Sequence, residues 1–259
     1  MTATLPTFII HLPRSQARRR FMEAQLELFP GLAPRFFPAV AGRSLGVAEL
    51  QQAYDEAGAL QEWGWKLSLP QIGCALSHIG VCQAMVKEGI PLALVLEDDA
   101  LLSGLLPEAL EALAARSDDG RPAITLLSPV KSYSRRKAVP LTALHQLATL
   151  DRGAWLATAY LVNLPAAKIL AQQLLPVRAP ADCWNRVIRH DWAEVRAVIP
   201  CCASVTVEGW RHSTIHEETL DNTPATYQRG WLARWRYKLN LGDRIRQALG
   251  IEVKVPRTW

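Results

Sequence analysis

Five consecutive apolar residues, Leu92-Ala93-Leu94-Val95-Leu96, run directly into three carboxylates, Glu97-Asp98-Asp99. A short apolar run without polar alternation, bounded by Pro91 and acids, fits a strand covered on both faces; a buried helix segment has the same local pattern. The strand reading puts the acids at a sheet edge that faces solvent or ligand. Adjacent carboxylates repel one another, so they call for a bound cation or a set of hydrogen-bond donors. The other reading is that they cap a helix over Ala100 to Leu113, where the N-terminal dipole favours negative charge.

The neighbouring sequence alternates between strand and helix signals. Thr7-Phe8-Ile9-Ile10 predicts a first strand, and Ser15 an N-cap for a helix over Gln16 to Phe29. Pro30, Gly31 and Pro34 end that helix, and Arg35 to Val40 predicts a second strand before a turn at Gly42. A helix-prone stretch ending near Trp63 and Trp65 precedes a helix over Gln71 to Val86, with Ile72, Leu76, Ile79, Val81 and Val86 on its apolar side. Further strands are expected at Ala123–Leu127, Trp155–Val162 and Val195–Ile199, and a helix at Pro165–Leu175 with proline in its first turn. Such alternation predicts an α/β fold with helices on both faces of a central sheet.

Length and composition bound the function. A chain of 259 residues that is 49% hydrophobic supports a substantial core. No run of eighteen apolar residues and no secretory leader pattern is evident, and the five cysteines (Cys74, Cys82, Cys183, Cys201, Cys202) lack zinc-type spacing. The expectation is a cytoplasmic protein with reduced thiols. The net charge of +5 is concentrated near the end: Arg229 to Arg257 holds eight Lys or Arg against two acids, with Trp231, Leu232, Trp235 and Leu239 at helical spacing. We therefore divide the chain into a catalytic-type domain over 1–218 and a basic amphipathic segment over 219–259. That segment suits an anionic membrane surface; equally, its tryptophans suit packing on the domain with the charges solvated.

An ordered set of motifs resembles glycosyltransferase family 25, the bacterial enzymes that build lipopolysaccharide or lipooligosaccharide. The set comprises Ile9-Ile10-His11-Leu12-Pro13-Arg14-Ser15 with Arg18 and Arg19, Phe37-Pro38-Ala39-Val40-Ala41-Gly42, Gly73-Cys74-Ala75-Leu76-Ser77-His78, Leu94 to Ala100, and Thr158 to Val162 with Ala181-Asp182. It spans roughly residues 7 to 215. His11 stands where the family usually has asparagine or serine, and Pro13 where aspartate or a small residue is common.

The resemblance implies a GT-A type nucleotide-sugar-binding fold with a mostly parallel sheet. It also implies a UDP-hexose donor (galactose or glucose), a lipid-linked oligosaccharide acceptor, and inversion at the anomeric carbon. Mn2+ or Mg2+ suits the oxygen ligands and would take up charge on the leaving diphosphate. Asp99 and then Asp98 are the expected metal ligands, with His212 or His216 as a further one; Glu97 is expected on ribose or sugar hydroxyls. Arg14, Ser15, Ser77 and His78 are expected around the nucleotide, although Arg14 and Ser15 also read as an ordinary helix start and His78 as a structural histidine. Asp182 is the expected catalytic base, or else a plain N-cap, with Asp191 and Asp151 held in reserve as groups near the same sheet edge. Cys74 reads as core.

Two other functions fit parts of the sequence. Nucleic-acid binding would use the basic segment, but no binding motif accompanies it and the acids oppose it. A nucleotide-sugar-binding protein that has lost turnover would keep the same residues.

Overall fold

The apolar run forms a strand, β3 (Leu92–Glu97), and its four central residues from Ala93 to Leu96 are fully buried. The computed structural model describes residues 4–116, 120–206 and 252–255. His212, His216 and the amphipathic stretch around Trp231 to Leu239 lie outside the described residues. In chain order the elements before β3 are β1 (Leu5–His11), α1 (Gln16–Leu26), β2 (Leu32–Pro38), α2 (Val47–Ala53), α3 (Glu56–Trp63) and α4 (Leu69–Glu88). After it come β4 (Ala100–Leu102), α5 (Leu106–Ala114), β5 (Ala123–Leu126), β6 (Ser132–Ser134), β7 (Ala138–Pro140) and β8 (Gln146–Thr149). The remainder are β9 (Ala159–Asn163), α6 (Leu164–Gln173), α7 (Trp184–Arg189), β10 (Glu194–Ile199), β11 (Ala203–Val205) and β12 (Glu252–Lys254).

Eight strands form one sheet in the order β2-β1-β3-β9-β5-β10-β8-β7. β1 pairs in parallel with both β2 and β3, and β5 with β10; β9 runs antiparallel between β3 and β5. β8 is antiparallel to β10 and to β7, so six of the eight strands share one direction. The expected mixed α/β sheet, mostly parallel, is therefore present. Its carboxyl-end edge collects the exits of β1, β3, β5 and β10.

Strand alternation divides the core between the two faces. Phe8, Ile10, Ala93 and Val95 point to one, where α4, α6 and α7 contribute Val81, Met85, Ala167, Leu170 and Trp184. Ile9, Leu94 and Leu96 point to the other, against Met22 and Leu26 of α1 and Leu106 and Ala109 of α5. Both faces are thus covered by helices, which is why β3 carries no polar alternation. α4 is long and apolar enough to cross a membrane, yet half of that stretch is buried inside the protein as the central helix of the first face.

Three expectations need correction. Ala100 to Leu102 is not the start of a helix: it is a short strand paired with β11, and α5 begins only at Leu106, so the acids cap no helix. The strand expected over Trp155–Val162 begins at Ala159, because Leu156 sits in the left-handed region at φ 69°. Residues 130–137, for which the sequence predicts no strand, contain β6, which pairs with β12 near the end of the chain.

α4 starts with a reciprocal cap. The Ser68 hydroxyl accepts from the Gln71 N–H while the Gln71 side chain accepts from the Ser68 N–H, and proline occupies the first turn. Its first half presses on the turn after β2. A Cβ on Gly73 would lie 2.5 Å from the Val40 carbonyl oxygen, and one on Gly42 1.8 Å from that of Leu69. Ser77 locks the same contact: its hydroxyl donates to the Gly73 carbonyl at 2.7 Å and accepts from the Val40 N–H at 2.8 Å. Since the Gly73 neighbours are backbone atoms that cannot swing aside, Gly73→Ala is expected to cost about 1–3 kcal/mol. A lowered urea midpoint with an unchanged m-value would show it.

Candidate active site

The carboxyl end of β3 sends its three acids to different partners. Asp98 is buried, with one oxygen 2.9 Å from His11 Nδ1 at the end of β1 and the other accepting from Arg18 of α1 at 2.8 Å. Each oxygen thus has one protein partner, and these contacts join β1, the end of β3 and α1. His11 also meets Phe36 edge-on at 5.6 Å, and its Nε2 is buried without a hydrogen-bond partner among the described residues.

Glu97 turns the other way, toward α4. Its Oε1 lies 3.3 Å from His78 Nε2 and 3.9 Å from Cys74 Sγ, side chains one helical turn apart on one face of α4. His78 is fixed from behind: Tyr160 Oη of β9 is 2.8 Å from its Nδ1, the two rings stack at 5.7 Å, and Trp184 packs edge-on against Tyr160 at 4.8 Å. A largely apolar cavity lined by His78, Cys82, Tyr160, Leu170, Trp184 and Arg186 lies behind this pair.

Asp99 lies between these two sets. Its Oδ2 is 3.4 Å from Arg18, while its Oδ1 is buried with no hydrogen-bond partner among the described residues. Burial first, and then the neighbouring Glu97 charge, raise its carboxyl to about 7 despite the opposing pull of Arg18. The largely buried Asp99 and the partly exposed Glu97 offer hard oxygen donors of the kind that suits Mg2+ or Mn2+.

Asp182, just ahead of α7, comes to the same place. Burial and then the charge of Glu97 raise its pKa, while His78 opposes the shift, so these side chains share one electrostatic neighbourhood. Its carboxylate accepts from the Leu156 backbone N–H, and the Leu156 carbonyl accepts from Trp184 Nε1 at 2.9 Å. Leu156 is thus used from both ends, which accounts for its left-handed backbone, a conformation costly for a branched side chain. The residue at the N-cap of α7 is Cys183, and the Asp182 backbone carbonyl accepts from the Trp184 N–H at 3.0 Å.

The remaining expected site residues divide as follows. Arg14 and Ser15 follow β1 at the same sheet edge; Arg14 is exposed and Ser15 makes no side-chain cap. Ser77 is 1% exposed and spends its hydroxyl on Val40 and Gly73, which places it in the scaffold rather than facing a ligand. Asp191 precedes β10, and Asp151 follows β8, whose last residues pair with the first half of β10. Both reserves therefore belong to the opposite edge of the sheet, and Asp151 is paired with Lys137 at 2.6 Å. His212 lies outside the described residues. Sequence reasoning did not give His11, Arg18 or Tyr160 these roles. For His11 the signal was available, since a histidine closing an apolar strand needs a partner.

Asp99 gives the fold a pH dependence of definite sign. Its carboxyl ionises near 3.8 when unfolded and at about 7 when folded, so between those values the native state holds more protons than the unfolded chain. Its contribution to stability is complete at low pH and lost as pH rises through about 7. Asp99→Asn removes the loss, so without divalent cations the variant is expected to melt higher than wild type at pH 8 and to lose that advantage at pH 4. Calorimetry at the two pH values checks it.

Comparison with known proteins follows the same lines. Among solved structures the chain is similar to a mannose-1-phosphate geranyltransferase from Thermus thermophilus, at 16% identity over 76% of this chain and 74% of that one, with a TM-score of 0.38. It is similar to a glycosyltransferase involved in glycosylation of the major capsid of PBCV-1, at 12% identity over 64% and 63%, TM-score 0.29. A third is an inositol-1-phosphate CTP transferase from T. maritima, at 10% identity over 79% and 89%, TM-score 0.36. Likeness at that level carries no information about chemistry. A search of curated proteins gives no match. The model of one family matches residues 4–184, a span that holds β1, the Gly73–His78 motif, the acid triplet and Asp182. By that match the chain belongs to glycosyltransferase family 25, described as LPS biosynthesis proteins.

Proposed function

We propose that this glycosyltransferase moves a hexosyl group, galactose or glucose, from a UDP-sugar to a hydroxyl of a lipopolysaccharide or lipooligosaccharide acceptor, with inversion and with the help of Mn2+ or Mg2+. One observation carries the reading. At the exit of β3 a largely buried carboxylate, Asp99, has a buried oxygen with no partner among the described residues and stands beside a second carboxylate, Glu97, while the acid between them is already paired with Arg18 and hydrogen-bonded to His11. Two neighbouring carboxylates at the carboxyl edge of an α/β sheet suit a cation and a diphosphate.

In this reading Glu97 and Asp99 hold the ion, which when bound stabilises charge on the departing diphosphate. His78 and Tyr160 fix the direction of Glu97, and Arg18 limits the travel of Asp99. Arg14, exposed at the same edge, is free to meet phosphate oxygens. Asp182 acts as general base: the acceptor O–H proton passes to its carboxylate as the acceptor oxygen bonds the anomeric carbon. The bond from that carbon to the phosphate oxygen breaks on the opposite side, and UDP keeps the electron pair. A raised carboxyl pKa serves this step, because it brings the base closer to the working pH. The basic segment 219–259 would bring the enzyme to an anionic bilayer on the cytoplasmic side, where lipid-linked acceptors are presented. β12, paired with β6, ties the end of that segment to the domain.

A donor screen that follows UDP release with a lipooligosaccharide acceptor tests the proposal. Release should require Mn2+ or Mg2+, and Asp99→Ala should lower kcat at least roughly 100-fold. Donor binding without release under any metal would favour a nucleotide-sugar-binding protein instead. Asp182→Asn is expected to lower kcat by roughly 10²–10⁴-fold with little change in donor KM, and to remove the acid limb of the pH profile. An unchanged profile would take the base role away from Asp182.

A further inference from the structure

Cys74 joins His78 and Glu97, both already part of the proposed transfer site, in a cluster whose thiol the transfer chemistry does not use. Each offers one ligand atom, and no two of those atoms are more than 4.8 Å apart. We infer that this cluster is a cation site selective for a thiophilic divalent metal such as Zn2+, an alternative to the hard-cation pair of Glu97 and Asp99 with which it shares Glu97.

The donor set and its spacing support this. Zinc bonds of about 2.0–2.3 Å in a tetrahedron put neighbouring ligand atoms about 3.3–3.7 Å apart. The His78 Nε2 to Glu97 Oε1 distance is 3.3 Å and the Cys74 Sγ to Glu97 Oε1 distance 3.9 Å, so two of the three edges already have nearly that length. The framework is stiff where it needs to be. Cys74 and His78 share one face of a twenty-residue helix whose first half is clamped by the Gly42–Gly73 contact, and Glu97 ends a fully buried strand.

His78 also has the outer partner that metal-binding histidines usually have. Its Nδ1 is held at 2.8 Å by Tyr160 Oη, which leaves Nε2 aimed at the cluster. A thiolate, a carboxylate and a neutral imidazole cancel the charge of Zn2+, so the ion enters a half-buried site without leaving net charge there. On binding, the Cys74 S–H proton and any proton on His78 Nε2 leave to solvent as the sulfur and nitrogen bonds to the metal form. A fourth position remains for water. Sulfur and imidazole select against Mg2+ and Mn2+. Because Glu97 belongs to both sets, occupation by zinc withdraws it from the hard-cation pair, which makes the cluster a point of inhibition by thiophilic metals. The zinc site itself stands whether or not the transferase reading does.

Co2+ serves as a spectroscopic substitute for zinc and reports the ligands without any turnover. Titration of the reduced, metal-free protein is expected to give one Co2+ per chain, with a sulfur-to-cobalt charge-transfer band in the near ultraviolet and intense visible bands of tetrahedral geometry. Zn2+ should displace both. Cys74→Ser should abolish the sulfur band and weaken Zn2+ binding by roughly tenfold or more, with circular dichroism unchanged. The five cysteines all lie among the described residues and Cys82, Cys183 and Cys202 are buried, so a sulfur band has few possible sources. Absence of the band in wild type, or its survival in Cys74→Ser, overturns the assignment.

Discussion

The contact between Asp98, His11 and Arg18 is the constraint on which the site depends. An unpaired carboxylate buried at the end of β3 would be strongly unfavourable, and a histidine on β1 together with an arginine on α1 relieves it. The same contact fixes three elements at one sheet edge and sets the direction in which the strand leaves the sheet. With Asp98 held toward α1, Glu97 turns to α4, and Asp99 is left partly desolvated between them. The acid triplet is therefore two structures: one internal charge paired with Arg18 and hydrogen-bonded to His11, and a pair of carboxylates that we propose holds a cation.

The other side of the site is built from a close packing contact. Gly42 and Gly73 let α4 approach the turn after β2, and Ser77 stitches the two backbones together. The motif Gly73-Cys74-Ala75-Leu76-Ser77-His78 thus combines two jobs at helical spacing. Gly73 and Ser77 face the turn and hold the helix in place, whereas Cys74 and His78, each one residue further on, face Glu97. A sequence motif of this kind mixes scaffold and site because successive residues of a helix point about 100° apart.

Much of this was legible in the sequence, and the gaps have physical causes. β3 and α4 could be read because a continuous apolar run and a long apolar periodicity are strong local signals, and the Asp182 neighbourhood followed from the family motif. β4 and β6 could not, since each is a short strand whose partner, β11 or β12, lies about a hundred residues further along the chain. The division of labour within the triplet was not visible: β3 ends at Glu97 and Asp98-Asp99 form a turn, and nothing local names His11 and Arg18 as partners of Asp98. Ser77 was expected near the nucleotide because it belongs to the family motif, although a serine inside a helix often bonds back to the preceding turn. Asp151 was misplaced because strand direction in a mixed sheet is a property of the pairing, and β8 gives no sequence sign that it runs antiparallel; Asp191 precedes a strand of the majority direction and so lies at the amino edge.

The central claim is that Glu97 and Asp99, and not Asp98, form the cation pair at the end of β3. Counting bound Mn2+ by loss of the free-ion paramagnetic resonance signal, with UDP present, tests it most directly. One Mn2+ per wild-type chain, lost in both Glu97→Gln and Asp99→Asn, is the predicted result. Undiminished binding in both variants would contradict it.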